Sequence, residues 1–271
     1  MDTTLAASPG KAGDYLRLWR KRRRLSQLDL ALAAEVSQRH LSFLESGRAA
    51  PSRQMLLRLA EQLDVPLQER NAMMLAAGYA PTYTEHTLEH PSMAPARDAI
   101  ERVLKGHEPF PALAVDRHWQ LLMANAALGA LLDGVRDRGL LAPPVNVLRL
   151  SLHPDGLATR IDNLAEWRAH VLERLRHQIA STQDPALADL LRELAAYPVG
   201  GQPPSAHAVA PEGAGVFVPL RLKTPGGLLS FISTTTVFGT PRDVLLAGIA
   251  VEAFFPADAR TRQALERLAP A

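Results

Sequence analysis

Ser26 and Ser37 constrain the first third of this chain more than any other feature. Each stands immediately ahead of a short stretch with helical apolar spacing. A serine in that place accepts a backbone N–H that the first turn of a helix leaves unpaired. The stretch after Ser26 carries Leu28, Leu30, Ala31 and Ala34; the one after Ser37 carries Leu41 and Leu44 and is closed by Gly47. The spacing predicts two short helices joined by a tight turn. Ala31 is small where they must cross closely, and Val36, Leu41 and Leu44 can fill the seam. A helix bearing Tyr15, Leu16, Leu18 and Trp19 is expected before the pair. A fourth follows Pro51-Ser52, with Met55, Leu56 and Leu59 inward. Asp64-Val65-Pro66 breaks it, and a fifth runs from about Leu67 to Ala77, stopped by Gly78.

With Leu41 and Leu44 turned inward, Gln38, Arg39 and Ser42 fall on the outward face of the second helix of the pair. Glutamine and arginine make two-pronged hydrogen bonds to adenine and guanine edges respectively. The first helix supports the second, and its opening at Ser26 and Gln27 offers free N–H groups to a phosphate. Charge follows the same division. Residues 1–80 hold 12 Lys and Arg against 8 Asp and Glu, and the remainder 18 against 20. Lys21-Arg22-Arg23-Arg24 is the densest basic run, either a solvated face or a phosphate attractor. Spacing alone also fits a small helical bundle with a solvated polar face.

Ser26-Gln27, Leu41-Ser42-Phe43-Leu44-Glu45-Ser46-Gly47-Arg48 and Pro51-Ser52 together resemble the lambda-repressor-like helix-turn-helix, or Xre, family. The resemblance covers about 65 residues. It implies that the chain binds double-stranded operator DNA. Gln27 would touch a phosphate, and Ser37, Gln38, Arg39 and Ser42 would meet base edges or the flanking backbone. Arg48 would clamp the backbone beyond the reading helix. Glu45 is read as structural, paired with a nearby basic group or capping a backbone group.

Beyond residue 80 the pattern changes. Pro81, Pro91 and Pro95 punctuate a connector, with a short helix around Ala96–Lys105. Leu113 to Asp116 and Trp119 to Met123 read as short strands turning at Asp116-Arg117-His118, and Asn125 caps an apolar helix through Leu132. Residues 160–197 read as helical from Leu164, Trp167, Val171, Leu175 and Ile179. Pro203-Pro204 marks a loop. Val216–Leu222 and Leu228–Val237 read as a hairpin around Thr224-Pro225-Gly226-Gly227. Val244 to Phe254 permits either strand or helix.

The opening of this part, Pro109 to Asn125, is similar to PAS sensor domains. Leu75 to Pro81, Gly227 to Val244 and Glu252 to Asp258 look like the MmyB-like regulators, a resemblance spanning about residues 13–262. It implies an α+β chain of two domains. These are a five-helix DNA-binding bundle over 13–80, after a flexible arm at 1–12, and a PAS-like antiparallel sheet with packed helices over 108–262. A connector at 81–107 joins them, and a tail follows at 263–271. The family implies a pocket for a small apolar molecule, a fatty acid foremost. Leu121, Met123, Val218, Leu220, Phe231 and Val237 alternate along the expected strands and either line it or fill the core. Asn125 is a second-rank ligand contact, and Arg149 or Arg221 can hold a carboxylate or stay at the surface. Two other readings stay open: a sensor holding haem or flavin, or a second domain that only dimerises. Homodimerisation is expected of this class.

The chain has no cysteine, which excludes disulfides, thiolate metal sites and thiol catalysis. A bacterial cytoplasmic setting, at the nucleoid when DNA-bound, fits. No apolar run is long enough to span a membrane, and Met1–Gly10 lacks a secretion-signal pattern. His86-Thr87-Leu88-Glu89-His90 matches the H-x-x-E-H pattern of some zinc peptidases, but Pro91 follows at once and makes an extended helix doubtful. Gly213-Ala214-Gly215 lacks the third glycine of a dinucleotide fingerprint. No enzyme activity, metal or other cofactor is expected.

Overall fold

The computed structural model describes residues 10–198, 217–239, 241 and 243–268. Most of the arm, the loop at Pro203-Pro204, the Gly213-Ala214-Gly215 run and Val216 lie outside the described residues. The chain divides into two compact units. One takes the described residues up to His86 together with Pro241–Ala247; the other begins at Thr87 and excludes that stretch.

Among its described residues up to His86 the first unit contains five helices in sequence: α1 (Ala12–Arg22), α2 (Gln27–Ala33), α3 (Gln38–Glu45), α4 (Arg53–Gln62) and α5 (Leu67–Ala76). The expected caps set three of the starts. Ser26 Oγ accepts the Asp29 N–H at 3.1 Å while the Asp29 carboxylate accepts the Ser26 N–H at 2.8 Å. This reciprocal box pairs two donors that the helix itself leaves open. Ser37 Oγ accepts from His40 at 3.1 Å and Ser52 Oγ from Met55 at 3.2 Å. Leu16, Trp19, Leu30, Leu41, Leu44, Leu59 and Met73 are fully buried at the centre, and Ala31 lies in the same core. Burying each large side chain stabilises the fold by about 1.5–3 kcal/mol before conformational entropy is set against it. Leu28 departs from expectation. It is 50 % exposed on the outer face of α2, because Leu30 and Ala31 already fill the seam.

The second unit is built on one antiparallel sheet. It opens with α6 (Ala94–Gly106), β1 (Ala112–Val115), β2 (Leu121–Ala124), α7 (Ala126–Leu132) and α8 (Val147–Leu152). Then come α9 (Leu164–Thr182), α10 (Pro185–Ala196), β3 (Leu220–Thr224) and β4 (Gly227–Val237). The short α11 (Val244–Gly248), all but its last residue in the first unit, precedes β5 (Ala250–Pro256) and α12 (Ala259–Leu268). The strand order is β2-β1-β5-β4-β3. The β3–β4 hairpin closes where expected, with Thr224 opposite Gly227. Gly227 has φ +118°, a backbone conformation that side chains rarely adopt, so the turn favours glycine.

Two expectations are corrected. The helical stretch over 160–197 is two helices. Gln183 adopts the left-handed conformation and Asp184 caps α10 by accepting the Ala186 N–H at 2.9 Å, with Pro185 in its first turn. The stretch over 244–254 is neither wholly strand nor wholly helix. One helical turn, α11, comes first, and β5 begins at Ala250. The core of this unit joins Val115 and Phe231 from the sheet to Leu175, Leu187 and Leu194 from α9 and α10. Among the described residues no helix is long and apolar enough to cross a membrane.

Candidate functional site

The outward ridge of α3 begins at its cap. Ser37, Gln38 and Arg39 are exposed and Ser42 is half-buried, while Leu41 and Leu44 anchor the underside. Phe43, which the sequence reading passed over, organises the basic part of this surface. The guanidinium carbons of Arg39 and Arg48 lie 5.5 and 5.9 Å from its ring centroid. A cation held against an aromatic face loses little hydration and keeps its edge N–H groups free to donate. The Arg48 N–H itself closes α3, donating to Phe43 O at 2.9 Å.

Glu45 ties this helix to its neighbours. Only 2 % exposed, it accepts two bonds from Arg20, at 2.6 and 2.8 Å, and one from Gln27 Nε2 at 2.9 Å. Burial alone would push its carboxyl up, but the bonds from Arg20 and Gln27 outweigh that and hold it below the ordinary range. Glu45 is thus structural, and Gln27 spends one of its two side-chain N–H donors on it. The basic run also divides. Arg23 donates to Leu63 O at 2.8 Å and Asp64 O at 2.6 Å, and Arg22 stacks 4.7 Å from the Trp19 ring. Lys21 and Arg24 are the exposed members.

The second unit contains a cavity of about 110 Å³ between its sheet and helices. Leu121, Leu220, Leu222 and Phe254 form the sheet side. Leu128 and Leu131 of α7, Leu148 of α8, and Trp167 and Val171 of α9 face them. Trp167, His170, Val171 and Arg174 share one face of α9 because residues three and four apart stack along a helix. The walls carry four polar side chains: Ser151, His170, Arg174 and Glu252. Arg174 Nη1 donates to Glu252 at 3.1 Å and its Nη2 to Glu252 and to Thr235 Oγ1, the latter at 2.7 Å. Thr235 in turn donates to Glu252 at 2.8 Å, and the guanidinium lies 4.5 Å from the Trp119 ring centroid. Burial, then the charge of Arg174, lowers the pKa of His170 and so favours its uncharged ring.

Of the residues expected at a ligand, Leu121 and Leu220 are on this wall. Phe231 packs edge-on behind Phe254, with 6.2 Å between ring centroids, and is fully buried in the core. Val218 also packs against that core, Met123 is half-buried on β2, and Val237 is 65 % exposed at the end of β4. Asn125 stands at the N-cap position of α7 without a capping side-chain bond. Its amide instead accepts from Ala112 at 3.0 Å and donates to Leu104 and Phe110 carbonyls at 3.1 and 2.8 Å. It clasps the start of β1 and has no amide proton left for a ligand. Arg149 is forked onto Glu193, at 2.6 and 2.7 Å, and neither it nor Arg221 lines the cavity. The arginine that does, Arg174, was overlooked although its spacing from Trp167 signalled the same helix face.

His86-Thr87-Leu88-Glu89-His90 is not helical. His86 Nδ1 meets Asp243 at 2.9 Å, and His90 Nδ1 meets Ser92 Oγ at 2.7 Å. Among the described residues no three histidines or carboxylates gather as a metal site.

Comparison with protein families agrees with this division. A helix-turn-helix family matches residues 16–70, and the MmyB-like transcription regulator ligand binding domain matches residues 96–268. No curated protein matches the chain. The second match covers more than half of the sequence and contains the whole cavity wall. The chain belongs to the MmyB-like transcription regulators, pairing a DNA-binding helix-turn-helix with a ligand-binding domain.

Proposed function

We propose that this regulator reads a specific operator through α3 and that its operator affinity changes when a small apolar molecule occupies the cavity. The observation that carries the reading is a cavity walled by leucine and aromatic side chains inside the ligand-binding domain. Preformed apolar cavities with few polar groups are what small-molecule sites look like. Size favours a compact ligand. A cavity of about 150 Å³ takes one benzene, so about 110 Å³ favours a ligand far smaller than haem or flavin. A long fatty-acid chain needs the walls to part.

On the DNA side, Gln38 and Arg39 are proposed to read base edges. Ser26, Gln27, Ser37, Ser42 and Arg48 are proposed to meet the backbone or the flanking edges. A homodimer is part of this reading, because half-sites about 34 Å apart need two reading helices.

Selection of genomic fragments by the full chain, followed by anisotropy titration of the recovered site, tests it. Arg39→Ala is expected to lose about 1–3 kcal/mol at one base position. Arg48→Ala is expected to weaken all sequences alike and to reduce the salt slope by about one. An Arg39→Ala protein with unchanged affinity and preference would show that α3 is not the reading helix. A site whose affinity responds to no apolar additive would favour a second domain that only dimerises.

A further inference from the structure

Resting on the reading of the cavity as the ligand site, we propose that it selects a neutral amphiphile, a compact apolar body bearing one hydroxyl or carbonyl, and excludes carboxylates. Ser151 and His170 meet the polar group. The Arg174–Glu252 pair supplies the exclusion.

An apolar cavity lined by an arginine invites the opposite assignment, a carboxylate receptor. The bonding of Arg174 argues against it. Both of its terminal nitrogens are engaged by Glu252 and Thr235, and the Trp119 ring covers one face of the guanidinium. Glu252 is 5 % exposed and lines the same wall. The pair therefore presents no net charge. An incoming carboxylate would be desolvated against Glu252, sharing one guanidinium with a second anion, and two carboxylates in one dry site do not both stay ionised.

Apart from the Arg174 N–H groups that Glu252 and Thr235 leave over, the unspent polar groups of the wall are neutral ones. Ser151 Oγ accepts the Trp167 indole N–H at 3.0 Å, and its own proton has no acceptor among the described residues. The His170 ring, 5.6 Å from that of Trp167, makes no hydrogen bond among the described residues. A serine hydroxyl and an uncharged imidazole together offer donors and an acceptor. That matches an alcohol, a phenol or a ketone. On the scale of one benzene per about 150 Å³, a cavity of about 110 Å³ takes about four to five non-hydrogen atoms as it stands, and a ring with a polar substituent needs the walls to part slightly.

The test compares benzyl alcohol, toluene and benzoate on the full chain at neutral pH, by thermal shift and by calorimetric titration. Benzyl alcohol is expected to raise Tm and to bind about tenfold or more tighter than either benzoate or toluene. Benzoate equal to or better than the alcohol overturns the proposal while leaving the cavity as the ligand site. No binding by any of the three, or by their straight-chain counterparts 1-hexanol, hexane and hexanoate, overturns the cavity as ligand site and the proposal with it. In Glu252→Gln, Arg174 regains an unpaired charge, and benzoate is expected to gain about tenfold while the alcohol changes little. If that variant does not fold, Ser151→Ala takes its place. It is expected to erase the advantage of benzyl alcohol over toluene, and an unchanged advantage overturns the role of Ser151 and His170.

Discussion

Gly13 is the residue whose replacement the structure judges most sharply. It lies inside α1, and a Cβ there would stand 2.3 Å from Leu44 O and 3.1 Å from Glu45 O. Those carbonyls belong to the last turn of α3, so the obstacle is backbone and does not yield like a side-chain tip. Arg17 Nη2, one turn along, donates to Glu45 O at 2.7 Å and fixes the same approach. In an exposed helix interior, Gly→Ala would stabilise by about 1 kcal/mol. Here overpacking costs about 1–3 kcal/mol and wins. Gly13→Ala is expected to lower the Tm of the helical unit by several degrees and to weaken operator binding, measured by thermal melting and anisotropy. A variant of equal or higher Tm would show that α1 does not depend on this contact. Nothing in the sequence marked Gly13, because a close approach between elements far apart in the chain leaves no local pattern. The role of Glu45 was legible. A carboxylate among inward-facing leucines and near several arginines has to be paired.

Among elements, the legible part is what local chemistry dictates. The caps of α2, α3 and α4 and the β3–β4 turn follow from single residues, Ser26, Ser37, Ser52 and Gly227. The division of α9 from α10 was also written in the chain, as Gln183-Asp184-Pro185, but the apolar period runs on through it and conceals the break. The cavity wall was less legible. It is assembled from three helices and four strands, and alternation along one strand cannot say which face meets a space and which meets side chains.

The α8–α10 seam gives a prediction in pH. The fork of Arg149 onto Glu193, with Tyr197 also donating to that carboxylate, holds Glu193 at a pKa of about 2. Unfolding returns the carboxyl to its ordinary range, so the unfolded chain binds the proton first and stability falls with it. The contribution is complete above about pH 4.5 and is lost as pH falls toward about 2. Both partners are more than a third exposed, so screening keeps it to about 1 kcal/mol or less. Glu193→Gln is expected to be less stable than the parent at neutral pH and to converge with it across that window, read by urea unfolding at a series of pH values. A constant difference would mean that the fork contributes nothing through its charge.

For the whole molecule, the proposed modulation of operator affinity requires a route from one unit to the other, and the course of the chain offers one. Pro241–Ala247 lies between β4 and β5 in sequence yet belongs to the helix-turn-helix unit. There Asp243 accepts bonds from Thr84 Oγ1 at 3.1 Å and His86 Nδ1 at 2.9 Å, and the Val244 N–H donates to Thr84 O at 2.9 Å. Burial pushes the Asp243 carboxyl up, but the His86, Thr84 and backbone bonds together hold it below the ordinary range. A few residues further on, Glu252 and Phe254 of β5 line the cavity. On the proposed reading, a ligand that shifted β5 would pull on a segment fastened at Asp243. Coupling requires that the ligand bind two arrangements differently, and it is measured as a change in operator affinity, typically about 1–3 kcal/mol. Asp243→Ala removes the fastening and touches neither α3 nor the cavity. It is expected to leave ligand-free operator affinity within about threefold of the parent, while the ligand-induced change shrinks below about 1 kcal/mol. Paired anisotropy titrations, with and without the ligand identified by thermal shift, measure both quantities. Should Asp243→Ala respond to ligand as fully as the parent, the signal does not travel through this segment, and the covalent path from Tyr79 through α6 becomes the route to test.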